Sequence, residues 1–274
     1  MAVQGRPLKE DSAVVPVLRA RTGGPAERFA GRVGGSRPAA VFAVALFGGF
    51  AVLASLSLLL GLFVTDVLLH VGGLGHTDES VVESIVAERT PFLSDASAVG
   101  SAVGGAPVLP VLVGLIALVC AVLRRWRIAA FALFVLVVES ATYRVTSLLV
   151  PRNRPSVQRL EDLPVDASYP SGHTAAAIAV YAGLVLLLTS AIPSRAVRVT
   201  AWAAAVVLPV FVASSRMYRG MHHPLDVAGG VLVGIGAVLV LLFACRAAEA
   251  AARVPARSRG RGARRLYVAQ GERS

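Results

Sequence analysis

Charged residues, and lysines in particular, are scarce in this sequence. Only 16% of the 274 residues are charged and 55% are hydrophobic, and the mean hydropathy is +0.69. A soluble globular domain has about 25% charged residues, so this composition excludes an ordinary soluble domain and favours a membrane protein. Lys9 is the only lysine; the other basic residues behind the net charge of +11 are arginines.

Cysteines are equally few, and the sequence begins with a polar segment followed by an apolar run that we expect to serve as a signal anchor. Cys120 and Cys245 both lie inside apolar stretches, which excludes a disulfide framework and a thiolate metal site. Residues 1–38 are polar and lack the apolar core of a cleavable signal peptide. We expect a disordered basic tail over 1–38, a membrane domain over 39–246 and a second disordered basic tail over 247–274, with both tails cytoplasmic.

The apolar residues form long runs, and a membrane-spanning helix needs about 20 of them. We predict an all-α integral membrane bundle with about six transmembrane helices and no internal repeat. The predicted spans are about 40–65, 104–123, 128–150, 173–193, 198–214 and 224–245.

Arginine placement predicts the orientation of the bundle in the plasma membrane. Basic residues number seven in the N-terminal tail, three in the turn 124–127, two in the turn 195–198 and eight over 246–273. Six spans put all four segments on one side, which the positive-inside rule assigns to the cytoplasm. The tails are suited to anionic membrane lipids, whereas no nucleic-acid-binding module is recognisable. The sequence does not indicate an oligomeric state.

The opposite side receives three loops. The loop 66–103 is acidic, and either a lid or a simple solvated loop fits its composition. The loops 151–172 and 215–223 break the charge rule because they carry five arginines, which predicts a specific use for arginine on the outer face.

One of these loops ends in Pro170-Ser171-Gly172-His173, directly before an apolar run. Ser171 is a plausible N-cap, and Gly172 would let a ligand approach the backbone closely. Free N–H groups at a helix N-terminus favour an anion. The motif therefore predicts an anion site beside His173, although simple helix capping also fits it.

The next loop carries Ser215-Arg216, with His222 and Asp226 following. A carboxylate four residues after a histidine can orient its imidazole, as in a catalytic triad. Arg216 could bind two phosphate oxygens at once. His223 competes with His222 for the reactive role, but its spacing to Asp226 is shorter, and we predict that it lies at the rim.

The third cluster, Arg152-Asn153-Arg154-Pro155, follows the third span. These arginines could bind lipid headgroups or clamp a phosphoryl group.

Together the clusters resemble the type 2 phosphatidic acid phosphatase superfamily, which also includes the vanadium haloperoxidases. Its signature is Lys-x6-Arg-Pro, then Pro-Ser-Gly-His, then Ser-Arg-x5-His-x3-Asp. The second and third parts match fully at 170–173 and 215–226. The first part matches at Arg154-Pro155, but Ser147 occupies the lysine position.

The resemblance implies a site at the outer ends of the third, fourth and sixth spans. His222 would be the nucleophile that forms a phosphohistidine, Asp226 its orienting partner and His173 the general acid. Phosphoryl oxygens would be held by Arg154, Arg216, Ser171 and the Gly172 N–H. Arginines and a helix N-terminus can supply the charge stabilisation that phosphoryl transfer needs, so no metal or other cofactor is expected.

Two residues inside the third span need a separate explanation. Arg144 lies three residues before Ser147, so its side chain could reach outward and replace the missing lysine; Arg152 is the other candidate. Glu139 is a charged group at membrane depth, where such groups are usually paired or functional. We expect it to have an interhelical partner, with a substrate or proton role as the alternative.

The function expected from this reading is a metal-independent membrane lipid phosphatase with an outward-facing site. Polyprenyl diphosphate, phosphatidic acid and phosphatidylglycerophosphate are all candidate substrates. Two alternatives remain: a catalytically weakened lipid-phosphate-binding protein, favoured by Ser147, and a vanadate-dependent haloperoxidase, disfavoured by the membrane spans.

Overall fold

The computed structural model describes residues 15–33, 37–106, 108–162 and 167–253, and the regular structure in these ranges is entirely helical. Short 3-10 turns lie at Pro16–Leu18 and Leu68–His70, and a π-helical turn lies at Ile178–Ala182. The α-helices are α1 Pro25–Arg32, α2 Pro38–Asp66, α3 Leu74–Ala87, α4 Pro91–Val103, α5 Val108–Val122, α6 Trp126–Leu149, α7 Gly172–Ala177, α8 Gly183–Thr189, α9 Arg195–Tyr218 and α10 Pro224–Arg253.

Six helical segments in the described ranges are long and apolar enough to cross a membrane, which confirms the predicted all-α multi-pass architecture. Their sides facing away from the bundle carry many exposed leucine, valine and phenylalanine side chains, as a lipid-facing surface requires. The segments are Pro38–His70, Pro91–Val122, Trp126–Leu149, Gly172–Thr189, Arg195–Tyr218 and Pro224–Arg253.

The second span differs from its predicted bounds. It begins with α4, inside the stretch predicted to be a loop, and is interrupted at 104–106 before α5. The side chain of Thr90 accepts a hydrogen bond from Leu93 N at 3.2 Å, and Pro91 occupies the first helical position. Both features favour a helix start. The stretch 66–103 is therefore largely helical, as α3 and α4.

The segment 15–33 is also folded, contrary to the expected disorder over 1–38. Ala20 N donates to Glu249 Oε2 at 2.8 Å, and the Phe29 ring packs edge-on against Phe243 at 5.3 Å between centroids. Both partners lie on α10, so burial against this helix orders the segment. The predicted C-terminal tail differs too, because α10 continues to Arg253; residues 1–14, 34–36 and 254–274 of the predicted tails lie outside the described residues.

Helix α10 lies at the centre of the bundle, against α2, α6 and α7. Two glycines on its buried face permit a very close approach to α7. A Cβ at Gly230 would lie 2.5 Å from Ser171 O, and one at Gly234 would lie 2.6 Å from Ala175 O. This approach brings the start of α7 against the start of α10.

The connection from α9 to α10 turns sharply at Gly220. Its φ of +70° lies in the left-handed region that favours glycine. A Cβ there would also lie 2.8 Å from Val157 Cγ2. The turn therefore packs tightly against the loop that follows α6.

Candidate active site

The three motif segments meet at one end of the bundle. They are the loop after α6, the start of α7, and the end of α9 together with the start of α10. Ser171 N donates to Asp226 O at 2.9 Å, and Arg154 Nη1 donates to Met221 O at 2.6 Å. These contacts join segments that are far apart in the sequence.

His222 is held as a neutral imidazole with one nitrogen free to react. Its ring is 2% exposed, and its Nδ1 lies 2.8 Å from the Ser168 carbonyl oxygen. Because a carbonyl oxygen can only accept, Nδ1 must carry the proton, which leaves the lone pair on Nε2. Burial lowers the pKa of His222 to about 4, although Asp226 opposes the shift. The ring is therefore neutral at pH 7, as a nucleophile requires.

Asp226 does not bond directly to His222 as the sequence predicted. The distance from Asp226 Oδ2 to His222 Nδ1 is 3.8 Å, which is too long for a hydrogen bond. The carboxylate instead accepts from the Ser168 hydroxyl, from Arg152 Nη1 at 2.5 Å and from His223 N at 2.8 Å. Ser168 thus connects the two, since its hydroxyl binds Asp226 and its carbonyl binds His222.

Two carboxylates bind the Arg152 guanidinium, and the side chain does not line the cavity of the site. It is 5% exposed and bridges Asp226 to Asp78 of α3. The other oxygen of Asp78 accepts from Leu225 N at 3.0 Å. A guanidinium bound on both sides in this way holds the start of α10, so the geometry does not support the predicted phosphate-binding role of Arg152.

His223 is buried, contrary to the predicted rim position. Its Nδ1 lies 3.2 Å from Asp226 Oδ2 and its Nε2 lies 2.9 Å from Glu79 Oε2. Burial alone would lower the pKa of His223, but these two carboxylates outweigh it and the pKa is raised. Glu79 also accepts from Ser156 N at 2.7 Å, so the acidic helix α3 fastens two of the site's segments together.

Arg216 is fully buried at the end of α9. Its Nη1 bonds Ser101 Oγ and Glu161 Oε2, each at 2.5 Å, whereas its Nε and Nη2 have no hydrogen-bond partner among the described residues. Nε and Nη2 form one edge of the guanidinium, the edge that can bind two oxygens of a phosphate.

Glu161 holds Arg216 from the other edge. Its second oxygen accepts from Arg219 Nε at 2.5 Å. Burial alone would raise the pKa of Glu161, but the hydrogen bond and charge of Arg216 outweigh it, and the pKa falls to about 2. Glu161 is therefore ionised at neutral pH and fixes the orientation of the arginine.

A cavity of about 330 Å³ connects the histidines to the membrane-spanning part of the bundle. His173 and His222 line it together with Gly172 and Arg144. A Cβ at Gly105 would lie 2.7 Å from His173 Nε2, so the backbone passes close to that ring. The cavity brings both predicted catalytic histidines and one of the two candidate replacement arginines to a common space.

The remaining predicted residues, Ser171 and Arg154, are buried. Ser171 is the N-cap residue of α7, but its hydroxyl pairs with Thr174 Oγ1 at 2.9 Å and not with a backbone N–H. Burial lowers the pKa of Arg154. Ser147 is buried and its hydroxyl donates to Arg144 O at 3.1 Å.

Sequence reasoning missed Ser168, Asp78, Glu79 and Glu161. Ser168 lies two residues before the Pro170 motif and could have been suspected from that position. The two acidic residues of α3 had no local signal, because an acidic outer loop resembles any solvated loop in composition. Their partners lie 74 or more residues away.

The part of the chain that carries the site resembles known proteins. Residues 128–249 match the family model of the PAP2 superfamily. Undecaprenyl-diphosphatase of Sulfolobus acidocaldarius is 46% identical over 76 residues, which are 27% of this chain and 32% of that protein. This chain thus spans about a third of the length of that relative.

Two further comparisons cover more of the chain. Phosphatidylglycerophosphatase B of Bacillus subtilis strain 168 is 26% identical over 180 residues, 65% of this chain and 88% of that protein. The crystal structure of a transmembrane PAP2 type phosphatidylglycerolphosphate phosphatase from Bacillus subtilis aligns with a TM-score of 0.59 and 25% identity, over 72% of this chain and 92% of the other.

Proposed function

Because residues 128–249 match the family model of the PAP2 superfamily, we propose that the protein is a membrane lipid phosphatase. It hydrolyses a phosphomonoester or pyrophosphate of a lipid through a phosphohistidine, without a metal. The observation that carries the proposal is the cavity shared by His173, His222 and Arg144. The relatives named above support polyprenyl diphosphate and phosphatidylglycerophosphate as substrates, with phosphatidic acid as a third candidate.

The first step is attack by His222. Nε2 uses its lone pair to form the N–P bond, and the bond from phosphorus to the lipid oxygen breaks. Arg216 stabilises the charge on the phosphoryl oxygens through its Nε and Nη2 edge, which Glu161 does not bind. The Gly172 N–H and Arg154 contribute to the same stabilisation. His173 gives its proton to the leaving oxygen. Splitting one displacement into two lowers each barrier.

The second step releases phosphate. His173, now without its proton, accepts one from a water molecule, whose oxygen attacks phosphorus as the N–P bond breaks. In both steps the Nδ1 of His222 stays protonated and donates its hydrogen bond to Ser168 O. Asp226 acts indirectly, by fixing Ser168 and the start of α10.

Arg144 is the better replacement for the family lysine missing at Ser147. It is exposed and lines the cavity, whereas Arg152 is bound on both sides by carboxylates. We propose that Arg144 reaches the phosphoryl group when a substrate binds.

The site faces outward in this proposal. With six spans, both ends of the chain lie on the side that carries most of the arginines, and the site lies on the other. The same geometry could also serve a protein that binds lipid phosphates without turnover, which the departure at Ser147 favours.

The test is phosphate release from a panel of lipid phosphates by detergent-purified protein, with and without EDTA. We expect release that persists in EDTA, is lost in His222→Ala and is retained in His76→Ala, an exposed histidine of α3. Lipid binding without release in the folded wild type would favour the binding protein instead. Release that EDTA abolishes would refute the metal-independent mechanism.

A further inference from the structure

Glu139 is a buried carboxyl group in the membrane-spanning part of α6, and no step above uses it. The side chain is 1% exposed. Its Oε2 accepts from the neighbouring Ser140 hydroxyl at 3.0 Å, whereas its Oε1 has no partner in the described part of the chain. The expected interhelical partner is thus not found there. Polar groups buried without a partner are costly and rare, so this one points to a partner from outside the protein.

The cavity supplies the place for such a partner. Glu139 lines the same cavity as His173 and Tyr143. It precedes Tyr143 by four residues, so both share one face of α6, and Glu139 lies about 6 Å further into the membrane. Tyr143 marks the level of the phosphate site, because a Cβ on Gly172 would lie 3.0 Å from its ring.

Part of the wall of this cavity is apolar. It is lined by Leu109, Pro110, Leu136 and Ala176, and Leu136 shares a face of α6 with Glu139. These walls suit hydrocarbon chains. A single hydrogen-bonding group on an apolar wall, below a phosphate site, recognises a ligand that has a polar atom at that depth.

Building on the proposed phosphatase function, we propose that the Glu139 carboxyl group, protonated because an unpaired carboxylate is too costly to bury, donates its O–H to an ester carbonyl oxygen next to the glycerol backbone of the substrate lipid. In a diacylglycerol phosphate these oxygens follow the phosphate within a few bonds, at the depth of Glu139. In a polyprenyl phosphate the same depth is filled by hydrocarbon, which would leave the carboxyl group unpaired. A site built around a hydrogen bond rejects ligands that lack the matching atom. Glu139 therefore selects glycerol-based lipid phosphates over polyprenyl phosphates.

The experiment compares lipids that differ only at the proposed contact. Dissociation constants are measured in the His222→Ala background, where no turnover occurs, for dioleoyl phosphatidic acid, its dialkyl ether analogue and a prenyl monophosphate. We expect the ester lipid to bind about tenfold more tightly than the ether lipid, as one hydrogen bond in a buried site contributes. Equal affinity for the two lipids in this protein would overturn the proposal, and this comparison needs no change at Glu139.

Variants of the carboxyl group give the second arm. Glu139→Met, which keeps the size but not the hydrogen bond, is expected to remove the preference for the ester lipid. Glu139→Gln, which can donate and accept, is expected to retain most of it. Leu136→Val is the matched control on the same wall and should change the affinity for ester and ether lipids equally.

The outcomes separate this proposal from the proposed function. If the ester preference is unchanged in Glu139→Met, Glu139 has only a structural role and the specificity proposal fails. If the wild type releases phosphate from no lipid but the preference depends on Glu139, the phosphatase function fails and the lipid-recognition role stands.

Discussion

Arg144 and Arg152 are both candidates for the missing lysine, and their substitution is expected to have opposite consequences. Arg152→Ala removes the guanidinium that bridges Asp78 and Asp226, so two buried carboxylates lose their arginine partner. Breaking a buried ion pair costs about 3–5 kcal/mol. For a domain of this size that loss corresponds to a fall of about 6–20 °C in the midpoint of thermal unfolding.

Arg144→Ala is expected to spare the fold and slow the reaction. The side chain is exposed, so the free energy of unfolding should change by less than about 0.5 kcal/mol. Loss of one charge-assisted contact to the phosphoryl group costs about 1.5–3 kcal/mol, which lowers kcat/KM about 10- to 150-fold.

Two assays on the same detergent-purified samples separate the cases: the midpoint of thermal unfolding, and phosphate release from a lipid monophosphate. Adding Asp78→Asn to Arg152→Ala should recover part of the lost stability, because one unpaired carboxylate is removed. Full kcat/KM in Arg144→Ala, together with an Arg152→Ala protein that is inactive but as stable as the wild type, would refute the assignment of Arg144 to the phosphoryl group.

Two further predictions concern packing and protonation. Gly100→Ala forces a Cβ against Ser215 next to the site, and overpacking of this kind costs about 1–3 kcal/mol. The matched control is Gly114→Ala, because a Cβ at Gly114 meets nothing within 4 Å. The midpoint of thermal unfolding should therefore fall in Gly100→Ala and not in Gly114→Ala. Burial holds the pKa of His222 near 4, so between about pH 6.5 and pH 4 the unfolded chain binds a proton that the folded protein does not. Stability falls as the pH drops through this window, by on the order of 3 kcal/mol. Unfolding midpoints across these pH values should fall less in His222→Gln, and an equal fall in both proteins would contradict the buried neutral ring.

The spans were predictable because hydrophobic runs of sufficient length have few alternatives to crossing a membrane. The meeting of His173, His222 and Arg216 was predictable as well, because their motifs lie at the ends of apolar runs and six alternating spans bring those ends to one side. Neither inference needed a knowledge of side-chain contacts.

The contacts among these residues were not predictable from spacing. The four-residue interval between His222 and Asp226 suggested a direct bond, but Asp226 is taken up by Arg152 and Ser168. Asp78 comes from a helix that composition alone presented as an acidic loop. Such long-range pairs depend on how the segments pack, which the sequence pattern does not encode locally.

The central claim is that His222 forms the covalent intermediate, and trapping that intermediate tests it most directly. The protein is mixed briefly with a lipid monophosphate labelled in the phosphoryl group, quenched with alkali and mapped by peptide. The account predicts label on His222 in the wild type and none in His222→Ala, whose phosphate release is also lost. Steady phosphate release from His222→Ala, or label on another residue, would contradict it.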